Sequence, residues 1–432
     1  MQEITQIIKK DMVPALGVTE PGAIAFAVAK AKALISGALR HITVSMNSGL
    51  YKNAYTCGIP NADAVGSAFA AALGYAAGNA DNGLEALNRT NERDAAEAKR
   101  LVDQGFVTVK LLAISSRIEL LAFLETAEGT AEVEIRDQHA RIVRMAVNGA
   151  EVFRRETGAE AEQEHDSESA LIQSLTLRDM LDYADSVPLQ EIQFVKNAHQ
   201  MNLALFRKGL SSAKTTFVHH LLKLNGEKII SADAKKTASL LCNGAIEARV
   251  LGLNYPAMSI TGSGAHGIMA TLPLYAEYAV KGLSEEKLLR ATVLSFLICM
   301  YIKAYSGRLS ALCGCAIAGG TGAACGLCYL RGGGEAASGK VIDNMASGLT
   351  GMICDGGNQG CIMKGIAACE MAYNCADLAL AGVYVDSVHG INGRTPEETM
   401  RNIGLIASPG MTQTEKTIVD IQQSKGYTEI KK

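Results

Sequence analysis

Four cysteines stand where chemistry could be done. Cys313 and Cys315 lie in SALCGCAIAGG, and Cys354 and Cys361 in ICDGGNQGC. All four neighbour glycine or small residues, not the apolar runs in which a structural cysteine is usually buried. Glycine lets backbone N–H groups come close to a sulfur and stabilise its negative charge, so this placement suits thiolates that bind a metal or a cluster. Asp355, Asn358 and Lys364 add polar groups to the same stretch. Cys242, Cys299, Cys325, Cys328, Cys369 and Cys375 sit in helical patterns and read as interface filler.

Two glycine-bearing turns could hold a small ligand beside those sulfurs. GVTEP at 17–21 precedes a long Ala-rich run, which predicts a helix with Thr19 as N-cap and Pro21 in its first turn. Thr19 and Glu20 then stand at the positive end of a helix dipole, either as a cap or facing a small anion. GSGAHG at 262–267 satisfies the dinucleotide pattern G-x-G-x-x-G literally. That reading needs a strand before it and a βαβ unit around it, whereas helical patterns flank this turn, so it is rejected. What remains is an anion-binding turn at a helix start, fitted to a carboxylate, with Ser263, Gly264 and His266 in reach of the ligand. His266 could bind substrate or move a proton.

The elements that position these residues fall into two parts. A chain of 432 residues exceeds one typical core, and about two domains are expected. Residues 40–156 carry alternating patterns: ITVSM, KNAYTCGIP, then FVTVKLLAI, RIELLAFLE, AEVEIRD and ARIVRMAVN. The last four predict antiparallel strands covered by helices on one face. Helices are predicted from Asn61 to about Ala77 and near 91–104. Residues 157–170, TGAEAEQEHDSESA, read as a solvated acidic linker. Residues 1–39 and 171–432 are helical by their three-and-four spacing, with capping boxes at Thr395–Glu398 and Thr412–Glu415. The fold class expected is therefore mainly α, with an inserted α+β domain built on a smaller antiparallel sheet.

Composition limits the partners. A formal net charge of -3 leaves no basic surface for nucleic acid. The longest strongly apolar segments, such as Val293 to Ile302, are about half the length that crosses a bilayer, so no membrane span is expected. The odd count of 11 cysteines behind a start without a signal-peptide pattern predicts a reducing cytoplasm. Oligomeric state is left open, a homo-oligomer included.

Six motifs taken together resemble a known family. GVTEP at 17–21, YKNAYTCGIP at 51–60, TGSGAHGI at 261–268, SALCGCAIAGGTGA at 310–323, ICDGGNQGCIMK at 353–364 and NIGLIASPGM at 402–411 look like the L-cysteine desulfidase family, related to the α subunit of the iron–sulfur L-serine dehydratases. The likeness spans nearly the whole chain. It implies a pyridoxal-independent lyase with a [4Fe-4S] cluster held by Cys315, Cys354 and Cys361, with Cys313 as the alternate to Cys315. Two departures stand out. The family's GCTEP cysteine is Val18 here, and its aspartate–glycine–alanine–lysine wording is altered to Asp355-Gly-Gly-Asn358.

With three protein ligands, one iron of the cubane stays open as a Lewis acid for a substrate thiol or hydroxyl. The reaction implied is elimination from L-cysteine to pyruvate, ammonia and hydrogen sulfide, or the dehydration of L-serine. Thr19, Asn53, Ser263 and Gly264 are the candidates for binding the amino acid, and His266, Lys364 and Glu20 for the base. Lys364 needs burial or a nearby positive charge to lose its proton. Two readings from other classes compete. One is structural zinc on Cys313, Cys315, Cys354 and Cys361 in a non-catalytic amino-acid-binding protein, although C-x-C and C-x6-C fit zinc knuckles poorly. The other is an oxygen-sensing cluster, for which no DNA-binding motif is present.

Overall fold

The computed structural model describes residues 1–155, 168–307 and 309–425. Most of the acidic stretch read as a linker lies outside the described residues, and 168–170 already belong to a helix.

The α+β part is a six-stranded sheet in the order β3-β2-β4-β5-β6-β7. Its strands are β2 (Leu39–Met46), β3 (Val107–Leu111), β4 (Glu119–Thr126), β5 (Gly129–Arg136), β6 (Ile142–Val147) and β7 (Ala150–Arg154). Period-two patterning puts Leu120, Ala122 and Leu124 of β4, with Ala131, Val133 and Ile135 of β5, on one buried face. The helix Thr19–Leu34 lies across β4 and β5, and the helix Ser67–Ala77 across β2 and β3. The sheet is mixed, which corrects the all-antiparallel expectation. β3 pairs parallel to β2 because the chain between them makes a long helical crossover, which only parallel neighbours need. Alternation alone reads the same for either direction. β7 was not anticipated.

Other local expectations change for local reasons. KNAYTCGIP is not a strand: Ser48–Asn53 is a short helix. Asn61 caps nothing, since it sits at φ +59° with its amide donating to the Leu87 carbonyl, and the helix starts at Ser67 after Gly66. Val18, not Thr19, is the residue before the helix Thr19–Leu34. Thr395 does cap Pro396–Leu405 through its hydroxyl. In the last helix, Thr412–Lys425, Glu415 turns inward instead of capping.

The larger part is helical. Ala234–Val250 is buried from Thr237 to Val250 all round, the mark of a central helix. It packs on Lys196–Leu210, Gly264–Lys281 and Gly360–Leu380. The 22-residue helix Glu285–Ser306 is long and apolar enough to cross a membrane by length and composition, more than the sequence segment indicated. Yet 83% of its most apolar window is buried inside the protein, so it serves here as a core helix. A small antiparallel ladder, β1 (Pro14–Leu16) with β8 (Pro256–Met258), ties the N-terminus to the GSGAHG turn. This places a strand before that turn, contrary to expectation, but no βαβ unit accompanies it.

Candidate active site

Both cysteine motifs are brought together by backbone pairing. Leu312 and Ile353 form an antiparallel bridge, with the Cys313 N–H donating to the Met352 carbonyl at 2.9 Å and the Cys354 N–H to the Ala311 carbonyl at 2.6 Å. Cys315 opens a π-helical turn, Cys315–Gly319, a local widening often found at functional sites. Cys361 follows on the first turn of Gly360–Leu380.

The thiols share one electrostatic neighbourhood. Burial, then Cys354 and Cys361, push the Cys313 thiol up to about 12. Burial, then Cys313 and Cys361, push Cys315 well up, and burial followed by Cys354 raises Cys361. Cys313, Cys315 and Cys361, each raised in this way, do not ionise together unless a cation takes the place of their protons. Among the described residues no three His, Cys, Asp or Glu groups converge tightly enough to hold a single metal ion. The donor set, soft thiols on glycine-rich turns, is the kind that holds an iron–sulfur cluster, in which each thiolate meets a different iron. The residues present fit that group.

Around the thiols the polar residues form a connected chain. Asn53 donates from Nδ2 to Glu20 Oε1 at 2.8 Å, and its Oδ1 lies 3.8 Å from Cys354 Sγ. Burial alone would raise the Glu20 carboxyl, but His139, Asn53 and Arg249 outweigh it and hold it at about 2. Glu20 is thus a fixed carboxylate. His139, from the β5–β6 connection, sits 3.6 Å from Glu20 Oε1 and is buried. Lys364 is paired with Asp355, and the nearby Asp355, Cys354 and Cys361 overcome burial to raise its pKa. That arrangement keeps Lys364 a cation facing the sulfurs.

His266 lies on the first turn of Gly264–Lys281. Its Nδ1 is 2.6 Å from Thr261 Oγ1, and its Nε2 reaches Gly314, where an added Cβ would lie only 2.5 Å away. Glycine between the two cysteines is therefore what admits the imidazole. Burial, then Lys303 and Arg249, hold His266 well below the usual histidine range, so it is neutral.

A cavity of about 340 Å³ opens beside this assembly, lined by Thr19, His139, Thr261, Gly262 and Lys303 among others. Thr19 Oγ1 donates to the Gly262 carbonyl at 3.4 Å, so the TEP turn and the GSGAHG turn meet at the cavity wall. Val18 packs against Gly357 of the CDGGNQGC turn, beside the thiols. Thus Thr19, Glu20, Asn53, Gly264, His266, Lys364 and the cysteines belong to one region, with Ser263 at its helix start. His139, Arg249 and Cys57 join it without having been singled out. No motif announces the first two, and Cys57 was visible only as part of YKNAYTCGIP. Burial, then Glu20, keeps Cys57 a thiol.

A family model for the serine dehydratase alpha chain matches residues 81–420, and the chain belongs to that family. Relatives align over nearly their full length. A UPF0597 protein of Clostridium botulinum is 38% identical over 97% of both chains, and one of Caldanaerobacter subterraneus subsp. tengcongensis is 34% identical over 98% of both. A third, from Clostridioides difficile, is 31% identical over 96% of this chain and 98% of its own.

Proposed function

We propose that this protein is a pyridoxal-independent lyase that eliminates the β-substituent of L-cysteine, releasing hydrogen sulfide, pyruvate and ammonia. The observation that carries the reading is the backbone pairing of the CGC and CDGGNQGC turns, near a cavity walled by the TEP and GSGAHG turns. Residues 40–156 are then an inserted domain within a helical domain made of 1–39 and 171–432.

Cys354, Cys361 and one of the CGC pair, Cys315 or Cys313, would hold a [4Fe-4S] cluster. When bound, its iron without a protein ligand would supply Lewis acidity to the leaving sulfur or oxygen. The chain's own residues do the rest. Thr19, Ser263 and Gly264 hold the amino acid's polar end, and Asn53 with Glu20 fixes its orientation against Cys354. His266 is neutral and its ring is set by Thr261, and it is assigned the role of acceptor for the Cα proton. Glu20 and Lys364 stay charged and shape the field instead. Loss of the β-substituent leaves aminoacrylate, which tautomerises to an imine that water hydrolyses to pyruvate and ammonia.

A second reading, L-serine as the substrate, is favoured by Val18, because a site without that thiol has one fewer group suited to sulfur chemistry, and by the alpha-chain family match. Anaerobically prepared protein assayed for pyruvate with L-cysteine and L-serine separates the two. Iron-loaded protein that forms pyruvate from neither amino acid refutes the elimination.

A further inference from the structure

Arg249 is a buried cation with no carboxylate in ion-pair contact among the described residues. It lies in the last turn of Ala234–Val250, only 5% exposed, and its Nε has no hydrogen-bond partner. Among the described residues its guanidinium makes no ion pair, and its nearest polar contact is Nη2 to Thr19 Oγ1 at 3.5 Å. A guanidinium does not shed its proton, so burial without compensation is unfavourable unless a negative group arrives from elsewhere. Glu20 feels the charge of Arg249 but is committed to Asn53 and His139.

Two helix starts meet at the same guanidinium. The helix Thr19–Leu34 begins at the hydroxyl that Nη2 approaches. The helix Gly264–Lys281 begins against the side chain itself: a Cβ at Gly264 would stand 2.8 Å from Arg249 Nε. Neither start carries a side-chain cap, so their first N–H groups and the positive ends of both dipoles are not answered by the chain's own cap residues. Thr19 also lines the cavity, which joins this spot to the space where a ligand fits.

We infer that Arg249, flanked by the helix starts at Thr19 and Gly264, receives the carboxylate of the ligand, and that the protein selects small α-carboxylates over their amides. This deepens the amino-acid reading and rests on it for the ligand's size. The planar fork of arginine pairs with both carboxylate oxygens, which a lysine cannot do. An amide in its place presents one oxygen and leaves the guanidinium uncompensated.

The test uses L-alanine, which has no β-leaving group, and L-alaninamide as probes, titrated calorimetrically into anaerobically prepared full-length protein. Wild type is expected to bind L-alanine on the order of 10- to 100-fold more tightly than the amide. Arg249→Gln should weaken L-alanine by a similar factor and abolish the preference, and Arg249→Lys should recover part of it, with visible iron absorption unchanged in both. The inference is overturned if wild type binds neither probe or both equally, or if Arg249→Gln keeps the preference. It is also overturned if both variants lose the iron absorption, since Arg249 would then be a counter-ion to the sulfurs. Selective L-alanine binding without any pyruvate from L-serine or L-cysteine keeps this inference and discards the elimination.

Discussion

Replacing Glu415 tests how the last described helix is fastened to the cysteine turns. Lys52 is 1% exposed and Glu415 5%, and the ammonium places its three protons on Glu415 Oε2 at 2.9 Å and on the carbonyls of Ser310 and Cys354 at 3.0 Å each. Gln422 of the same helix donates to the Asp355 carbonyl at 2.9 Å, so the contact reaches both ends of the CD step. Glu415→Ala strips the counter-charge and leaves a buried ammonium on two neutral acceptors, which costs about 3–5 kcal/mol. Glu415→Gln keeps the shape and one acceptor, so the loss should be about half as large, although the amide nitrogen gains no partner where Oε1 has none. Lys52→Met with Glu415→Leu removes both charges, and replacing a buried pair by apolar groups is often close to neutral. Urea unfolding of iron-free wild type, Lys52→Met, Glu415→Leu and the double variant, followed by far-ultraviolet circular dichroism, closes the double-mutant cycle. A coupling of several kcal/mol between the two positions is expected. Single variants that each lose less than about 1 kcal/mol, or a double variant that loses their sum, would show that the pair does not hold the helix.

Three further outcomes are expected. Gly314→Ala should displace His266 and lower kcat/KM by about 10²-fold or more, as small misplacements of a reacting group do, while the melting temperature stays within about 3 °C. Retained activity would remove His266 from the proton transfer. Val18→Cys, at a side chain that packs against Gly357, should keep the fold and raise the ratio of L-cysteine to L-serine turnover; an unchanged ratio excludes this position from substrate choice. Burial, only partly opposed by the Thr399 hydroxyl, raises the half-buried Asp343 to about 6, above its unfolded value near 3.9, so the folded state binds the extra proton between those values. Its contribution is present below about pH 4 and is lost as pH rises through 6. Asp343→Asn should therefore stabilise by about 1 kcal/mol at pH 7.5, after discounting for exposure, and not at all at pH 4. Equal effects at both pH values in thermal melts would exclude the titration.

Where pattern and physics coincide, the sequence was readable. Apolar spacing placed the helices, and glycine beside cysteine marked the sulfur turns, because close backbone approach is what those turns need. The strand alternation of 107–147 placed the sheet's members but not their direction, since facing is the same in parallel and antiparallel pairs. Glu415 escapes the pattern for a related reason: Thr-x-x-Glu has one spacing whether the carboxylate caps its own helix or reaches Lys52 across the fold. Arg249 and His139 carry no local sign at all. Each became visible only when distant segments placed an uncompensated charge or an orphaned ring nitrogen beside Glu20 and Thr19.

The Lys52 to Glu415 contact also sets an order of events in biosynthesis. Glu415 leaves the ribosome 363 residues after Lys52. At about 5–20 residues per second, that interval lasts roughly 20 to 70 seconds. Throughout it the ammonium's berth lacks its carboxylate, and the Cys354 loop, made 302 residues after Lys52, spends the last part of it without one of its moorings. The frame around the Cys354 loop is therefore complete only once this helix has been translated and docked.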